Sequence, residues 1–208
     1  HLYTLLSRAV TDGEPMLRPL WLDFPEDQLA QASEFEFLLG TDLLIATIIE
    51  KGAESRSVPL PACPEGWWDF AGTTWYPGGQ MLDVPVTQES IPMFVRGGTV
   101  LPMAGPNARS TAQTDKTRTW RIYPHDPGAP ARESRAYDDD GVSANALVSD
   151  HCLTRMTLSR NSTTVMLNWH MSGTYKPAYD QVDLWLAGSS PLVVNGAPTG
   201  TETPLFFV

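Results

Sequence analysis

The stretch ESIPMFVRGGTVLPM, residues 89–103, is an apolar run broken by one arginine and two glycines, with a proline near each end. Glycine inside a strand costs backbone entropy and packs nothing. Gly97-Gly98 therefore predicts a bulge or tight corner, where φ turns positive or a second backbone comes close. Arg96 beside them has two readings. It can fork onto a carboxylate or backbone carbonyls and pin the loop, or it can hold a ligand. The scaffold role is the expectation.

Outward from that corner the pattern is that of a β protein. From residue 51 on, short strand-like runs are punctuated by Pro, Gly, Asn and Asp: RSVPLP, GTTWYPGG, QMLDVPV, RTWRIYP, SRAYDDDG, TRMTLSR, TVMLNWH, QVDLWLAG and PLVVNG. Such spacing reads as β-sandwich. The polar stretch 104–118 is the expected linker between two modules. The first 50 residues differ. HLYTLLSRAV has apolar residues at helical spacing and is stopped by a Gly and a Pro. MLRPLWLDF reads as a short buried strand, PEDQLAQASEFEFLLG as a helical turn or short helix ending at Gly40, and DLLIATII as a β-branched buried strand.

The chain has 208 residues, enough for one large or two small domains, and a formal net charge of −10. It carries no basic stripe, which speaks against a nucleic-acid partner, and no apolar run long enough for a membrane helix. Its opening residues already read as the inside of a helix, so a processed or longer polypeptide is expected. Two cysteines, Cys63 and Cys152, have no metal-type spacing. Either a disulfide or two unrelated thiols fits them. Asn161-Ser162-Thr163 is a glycosylation sequon, which matters if the protein is secreted. A secretory location is mildly favoured.

The order of these segments resembles the C-terminal part of glycoside hydrolase family 31, the α-glucosidase and α-xylosidase family. YTLLSRAV is similar to its YTL helix, and GEPMLRPLWLDFPED to its G-P-x-x-R-P-L strand and acidic turn. FEFLLGTDLLIATII resembles Q-F-L-L-G-x-x-L-L-V-A-P-V, with Glu36 in place of Gln and Thr47 in place of Pro. LPACPEGWWDF, IPMFVRGGTVLP and YDDDGVS resemble three further family segments. The resemblance implies a mainly β chain. Residues 1–50 would be the last strand and helix of a catalytic (β/α)8 TIM-type barrel, 51–115 a proximal C-terminal β-sandwich and 116–208 a distal one.

Retaining glycoside hydrolysis needs two carboxyl groups flanking the scissile bond. In the family these are aspartates on earlier barrel strands, in motifs such as W-x-D-M-N-E, and this sequence has no such motif. No catalytic residue is therefore assigned here. The expectation is a chain that closes a barrel and scaffolds it, partnered by the catalytic-barrel polypeptide and, through it, by an α-linked oligosaccharide. No cofactor is implied. The α-xylosidase, α-glucan lyase and transglucosidase readings stay open within the family. A free-standing carbohydrate-binding module is the alternative outside it.

The other candidates each have a plainer reading. Asp138, Asp139 and Asp140 could hold calcium, but the twelve-residue calcium-loop pattern is absent and an Asp-capped turn closed by Gly141 explains them. Asp69 beside Trp67 and Trp68 could mark a sugar-stacking platform, or core packing. Arg18, Asp23 and Asp27 lie where a barrel's catalytic face would be, with Arg18 expected to pair with a carboxylate. His1, His125, His151 and His170 share no metal spacing.

Overall fold

The computed structural model describes residues 1–105 and 116–188, and the backbone of the strand residues 194–195 and 205–207. It opens on helix α1 (Leu2–Asp12), which ends at Gly13 with a left-handed φ of 71°. Strand β1 (Leu17–Pro19) runs into the short helix α2 (Leu20–Asp23), and α3 (Gln28–Gln31) follows. Next come β2 (Glu36–Leu39), β3 (Leu43–Ala46), β4 (Ser55–Leu60), β5 (Trp67–Asp69), β6 (Trp75–Tyr76), β7 (Gln80–Pro85) and β8 (Met93–Arg96). Then follow β9 (Thr99–Ala104), β10 (Thr117–Tyr123), β11 (Arg132–Asp139), β12 (His151–Arg160), β13 (Val165–Gly173), β14 (Gln181–Leu186), β15 (Val194–Asn195) and β16 (Leu205–Phe207).

These form a six-stranded sheet in the order β1-β2-β3-β8-β5-β6, beside the β4-β7 hairpin. Beyond it lie a three-stranded sheet, β14-β10-β9, and a five-stranded sheet, β11-β12-β13-β16-β15. The expectation of a mainly β chain stands. Within residues 1–50, read as a barrel's closing strand and helix, the strand part is corrected. A barrel strand runs parallel to both neighbours, whereas β1, β2 and β3 pair antiparallel with one another and β3 pairs antiparallel with β8. Residues 36–39, expected in a helical turn, are strand because Glu36 and Leu38 are buried while Phe37 and Leu39 alternate outward, a period of two.

The border between modules moves as well. β8 belongs to the six-stranded sheet, yet β9, two residues later, pairs with β10 in the next one. The chain changes sheets at Gly97-Gly98. The expected linker, residues 104–118, lies largely outside the described residues, and β9 is already part of the second module.

Three apolar clusters hold this together. One fills the first module around Leu20, Leu38, Leu44, Leu60 and Trp67. One fills the second around Trp120, Ile122, Met156, Leu158 and Leu167. The third is the seam, in which Leu43, Trp68 and Val95 of the first sheet meet Leu101, Tyr123 and Ala187 of the second. Phe70 and Trp185 flank the Arg121 guanidinium at 5.0 and 4.1 Å from their ring centroids, adding a cation–π stack across the same seam.

The corner closes with backbone hydrogen bonds in both directions. Gly97 N–H donates to Gly66 O at 2.9 Å and Gly98 N–H to Tyr123 O at 2.7 Å. A Cβ on Gly97 would collide with the Glu65 carbonyl oxygen and lie 2.9 Å from the His125 Cα. Gly98 has φ 82° and faces the Arg132 side chain. The two glycines are thus required for different reasons, close approach for one and backbone conformation for the other.

Gly97→Ala is expected to destabilise by about 3 kcal/mol, because backbone must move. Gly98→Ala should cost nearer 1 kcal/mol, the price of a left-handed residue with a Cβ. At roughly 2–4 °C per kcal/mol for a chain of this size, thermal unfolding separates the two. Equal melting temperatures for both variants would contradict the close-approach argument.

Candidate functional surface

Two ion pairs flank the corner. Arg96 reaches Glu65 at 3.1 Å and Arg132 reaches Asp42 at 2.8 Å, all four side chains being mostly buried. Burial pushes the Arg132 guanidinium below its ordinary pKa, and the Asp42 carboxylate opposes that. Arg96 also lies 5.1 Å over the Phe24 ring, and its backbone N–H donates to Asp42 O. Among the described residues its contacts are those of a pinned corner.

The other sequence candidates are engaged in local structure. Arg18 forks onto Asp23 at 2.6 and 3.0 Å, the carboxylate pairing expected of it. Asp27 caps α3 through Ala30 N and accepts from Ala62 N, joining the start of the first module to its hairpin. Asp69 accepts from Thr73 N, Thr73 Oγ1 and Thr74 N. Trp67 and Trp68 are buried and donate to Pro61 O and Pro124 O, so they are core rather than a platform. Both cysteines are free thiols, Cys152 buried and Cys63 half-buried.

The three consecutive aspartates point three ways. Asp138 pairs with Arg118 at 2.7 Å, Asp139 accepts from the Tyr3 hydroxyl at 2.6 Å, and Asp140 closes a turn through Val142 N, Ser143 N and Ser143 Oγ. Among the described residues no three His, Cys, Asp or Glu side chains converge on a point that could hold a metal ion. His125 is buried with Nδ1 against Asp126 O, His151 stacks on Tyr137, and His170 is exposed. Asn161 sits in the exposed turn between β12 and β13.

The structure does assemble one surface that sequence reading only partly found. Helix α1 is seated on both modules. Its Leu5 packs against Gly40, and its Thr4 hydroxyl accepts from Tyr137 N at 3.0 Å. Hydrogen bonding to Asp139, then burial, raises the Tyr3 phenol to about 12. Its opposite face is bare. Leu2, Leu6 and Val10 are 59%, 48% and 63% exposed, at spacings of four that place them in one stripe. Beside the stripe a groove of about 260 Å³ runs between Leu6 and Val10 of α1 and Val142 and Leu147 of the second module. Leu17 and Trp21 are also exposed, whereas Leu20 and Leu44 are core and Ile45 and Ile48 half-buried. The helical spacing was legible. That Asp139, 136 residues away, anchors the helix was not. Among the groove's lining residues the one carboxylate is Asp139, which is already bonded to the Tyr3 hydroxyl. No helix among the described residues is long and apolar enough to cross a membrane.

Residues 13–101 match the family described as "Glycosyl hydrolase family 31 C-terminal domain". The match begins at the residue that caps α1 and ends just past the Gly-Gly corner. The chain is 34% identical over 143 residues to a probable glucan 1,3-alpha-glucosidase of Arabidopsis thaliana, covering 69% of this chain and 15% of that protein. It is 43% identical over 100 residues to neutral alpha-glucosidase AB of Mus musculus, covering 48% of this chain and 11% of that one. Among solved structures, the GH31 dextranase of Flavobacterium johnsoniae in complex with isomaltotriose superimposes with a TM-score of 0.78 at 26% identity, over 93% of this chain and 24% of the dextranase. The chain thus spans well under a third of the length of each of these relatives. The corner, the two modules and these likenesses agree: the chain belongs to glycosyl hydrolase family 31, as its C-terminal β region.

Proposed function

We propose that this chain is the C-terminal scaffold of a retaining α-glycosidase that hydrolyses terminal α-linked glucose, and that the catalytic carboxylates lie on a barrel polypeptide seated on α1. The observation that carries this reading is the bare stripe of Leu2, Leu6 and Val10. A free-standing carbohydrate-binding module has no use for a helix whose apolar face looks outward. Fully burying a side chain of this kind stabilises by about 1.5–3 kcal/mol. With these already half-covered, three of them contribute a few kcal/mol, and Leu17 and Trp21 extend the patch.

In this proposal α1 belongs with the barrel, β1 to β8 form the proximal module and β9 onward the distal one, replacing divisions at residues 50 and 115. The carboxylates named above are held in ion pairs and turns, so the chain's contribution is shape. Glucose as the sugar follows the names of the two curated relatives.

Two measurements test this. The chain by itself should give no turnover of an aryl α-glucoside above background, and clear turnover would overturn the scaffold role. The pair Leu6→Asp, Val10→Asp should destabilise the whole enzyme by about 3 kcal/mol, as buried unpaired charges do, yet change the isolated chain by less than about 0.5 kcal/mol, as surface changes do. Equal effects in both would show that nothing docks on the stripe.

A further inference from the structure

We propose that Asn161 is the acceptor of an N-linked glycan. The sequon Asn161-Ser162-Thr163 occupies the turn that joins β12 to β13, and all three residues are exposed. The turn is closed by Asn161 N–H donating to Thr164 O at 3.0 Å, and its base is fixed by Arg160 Nη1 donating to His125 O at 2.9 Å. A sequon buried in a strand would have to unfold to react. This one is on a rigid, open hairpin end.

The side-chain geometry sorts the two ends of the amide. Asn161 Oδ1 accepts from Thr163 N at 2.9 Å, Thr164 N at 2.8 Å and the Thr163 hydroxyl at 3.2 Å. The Nδ2 end has no hydrogen-bond partner among the described residues, so nothing in the fold must be broken to substitute it. The reaction forms a C–N bond between Nδ2 and the anomeric carbon of an N-acetylhexosamine. It breaks that carbon's bond to the phosphate oxygen of a polyprenyl-diphosphate oligosaccharide donor, which leaves as the lipid diphosphate while Nδ2 loses one proton.

The surroundings suit a sugar. A groove of about 410 Å³ beside the turn is lined by Ser159, Arg160, Thr164 and Met166. It offers an apolar thioether wall for a pyranose face and a guanidinium and hydroxyls for its oxygens. The position also keeps a glycan clear of the seat on α1. β12 is ten residues long, and its other end, His151, stacks on Tyr137 beneath α1. At about 3.3 Å per residue the turn lies roughly 30 Å from that end. A glycan there therefore leaves the docking surface open, and it places the protein in a secretory compartment.

The test is the full-length enzyme purified from its source. Peptide-N-glycosidase should increase its gel mobility and leave an aspartate side chain at position 161, read by peptide mass spectrometry. Asn161→Gln and Thr163→Ala, expressed in the same cells, should each abolish modification at position 161 and reduce the shift by one glycan, whereas Thr163→Ser should retain both. The exposed turn predicts that both unglycosylated variants fold, checked by an unchanged glycosidase activity. An unmodified Asn161 in the enzyme from its source would overturn the proposal.

Discussion

The contact of one glycine with the backbone of another strand sets the geometry of the whole chain. Gly97 lies against the Glu65 carbonyl and the His125 Cα, a separation that excludes any side chain. That approach lets β8 end in one sheet and β9 begin in the next with only two residues between them. The seam of Leu43, Trp68, Val95, Leu101, Tyr123 and Ala187 forms only because the sheets are brought this close. The apolar seam supplies most of the energy of the join. The ion pairs Arg96–Glu65 and Arg132–Asp42 supply its geometry, since a mostly buried pair gains little net stability but is costly to break on one side.

The acidic side chains singled out in the sequence are likewise engaged within the fold. Each aspartate that sequence reading singled out has a local partner: Asp23 with Arg18, Asp138 with Arg118, Asp139 with Tyr3, and Asp27, Asp69 and Asp140 with turn or cap amides. Charge-assisted bonds of this kind fix turns in a protein with many short strands. In glycosyl hydrolase family 31 terms, this region's side chains hold a shape.

Much of this was legible in the sequence. Two adjacent glycines in a strand announced the corner, and runs such as RTWRIYP and TRMTLSR became β10 and β12. The sheet to which residues 17–46 belong was not legible. A short apolar run reads alike whether its neighbours run parallel or antiparallel. The strand period of Glu36 to Leu39 was hidden by its continuity with helix-forming residues. Helix α1 was found from spacing, yet its anchoring to Asp139 and Tyr137 crosses more than 130 residues, beyond any local pattern. Asp138 to Asp140 formed a cluster on paper only, because Asp138 and Asp139 are successive strand residues that point to opposite faces of β11, and Asp140 begins the turn.

The parallel pairing of β10 with β14 has a consequence for the order of folding. Its register joins residues 64 apart, Thr117 with Gln181, and β11, β12 and β13 lie between them. Closing such a loop costs entropy before it returns contacts, so the distal module has high contact order and folds slowly relative to hairpins. Helix α1 must wait as well, because its latch on Asp139 forms only once β11 is in place. During synthesis α1 is therefore made 136 residues before the aspartate that locks it.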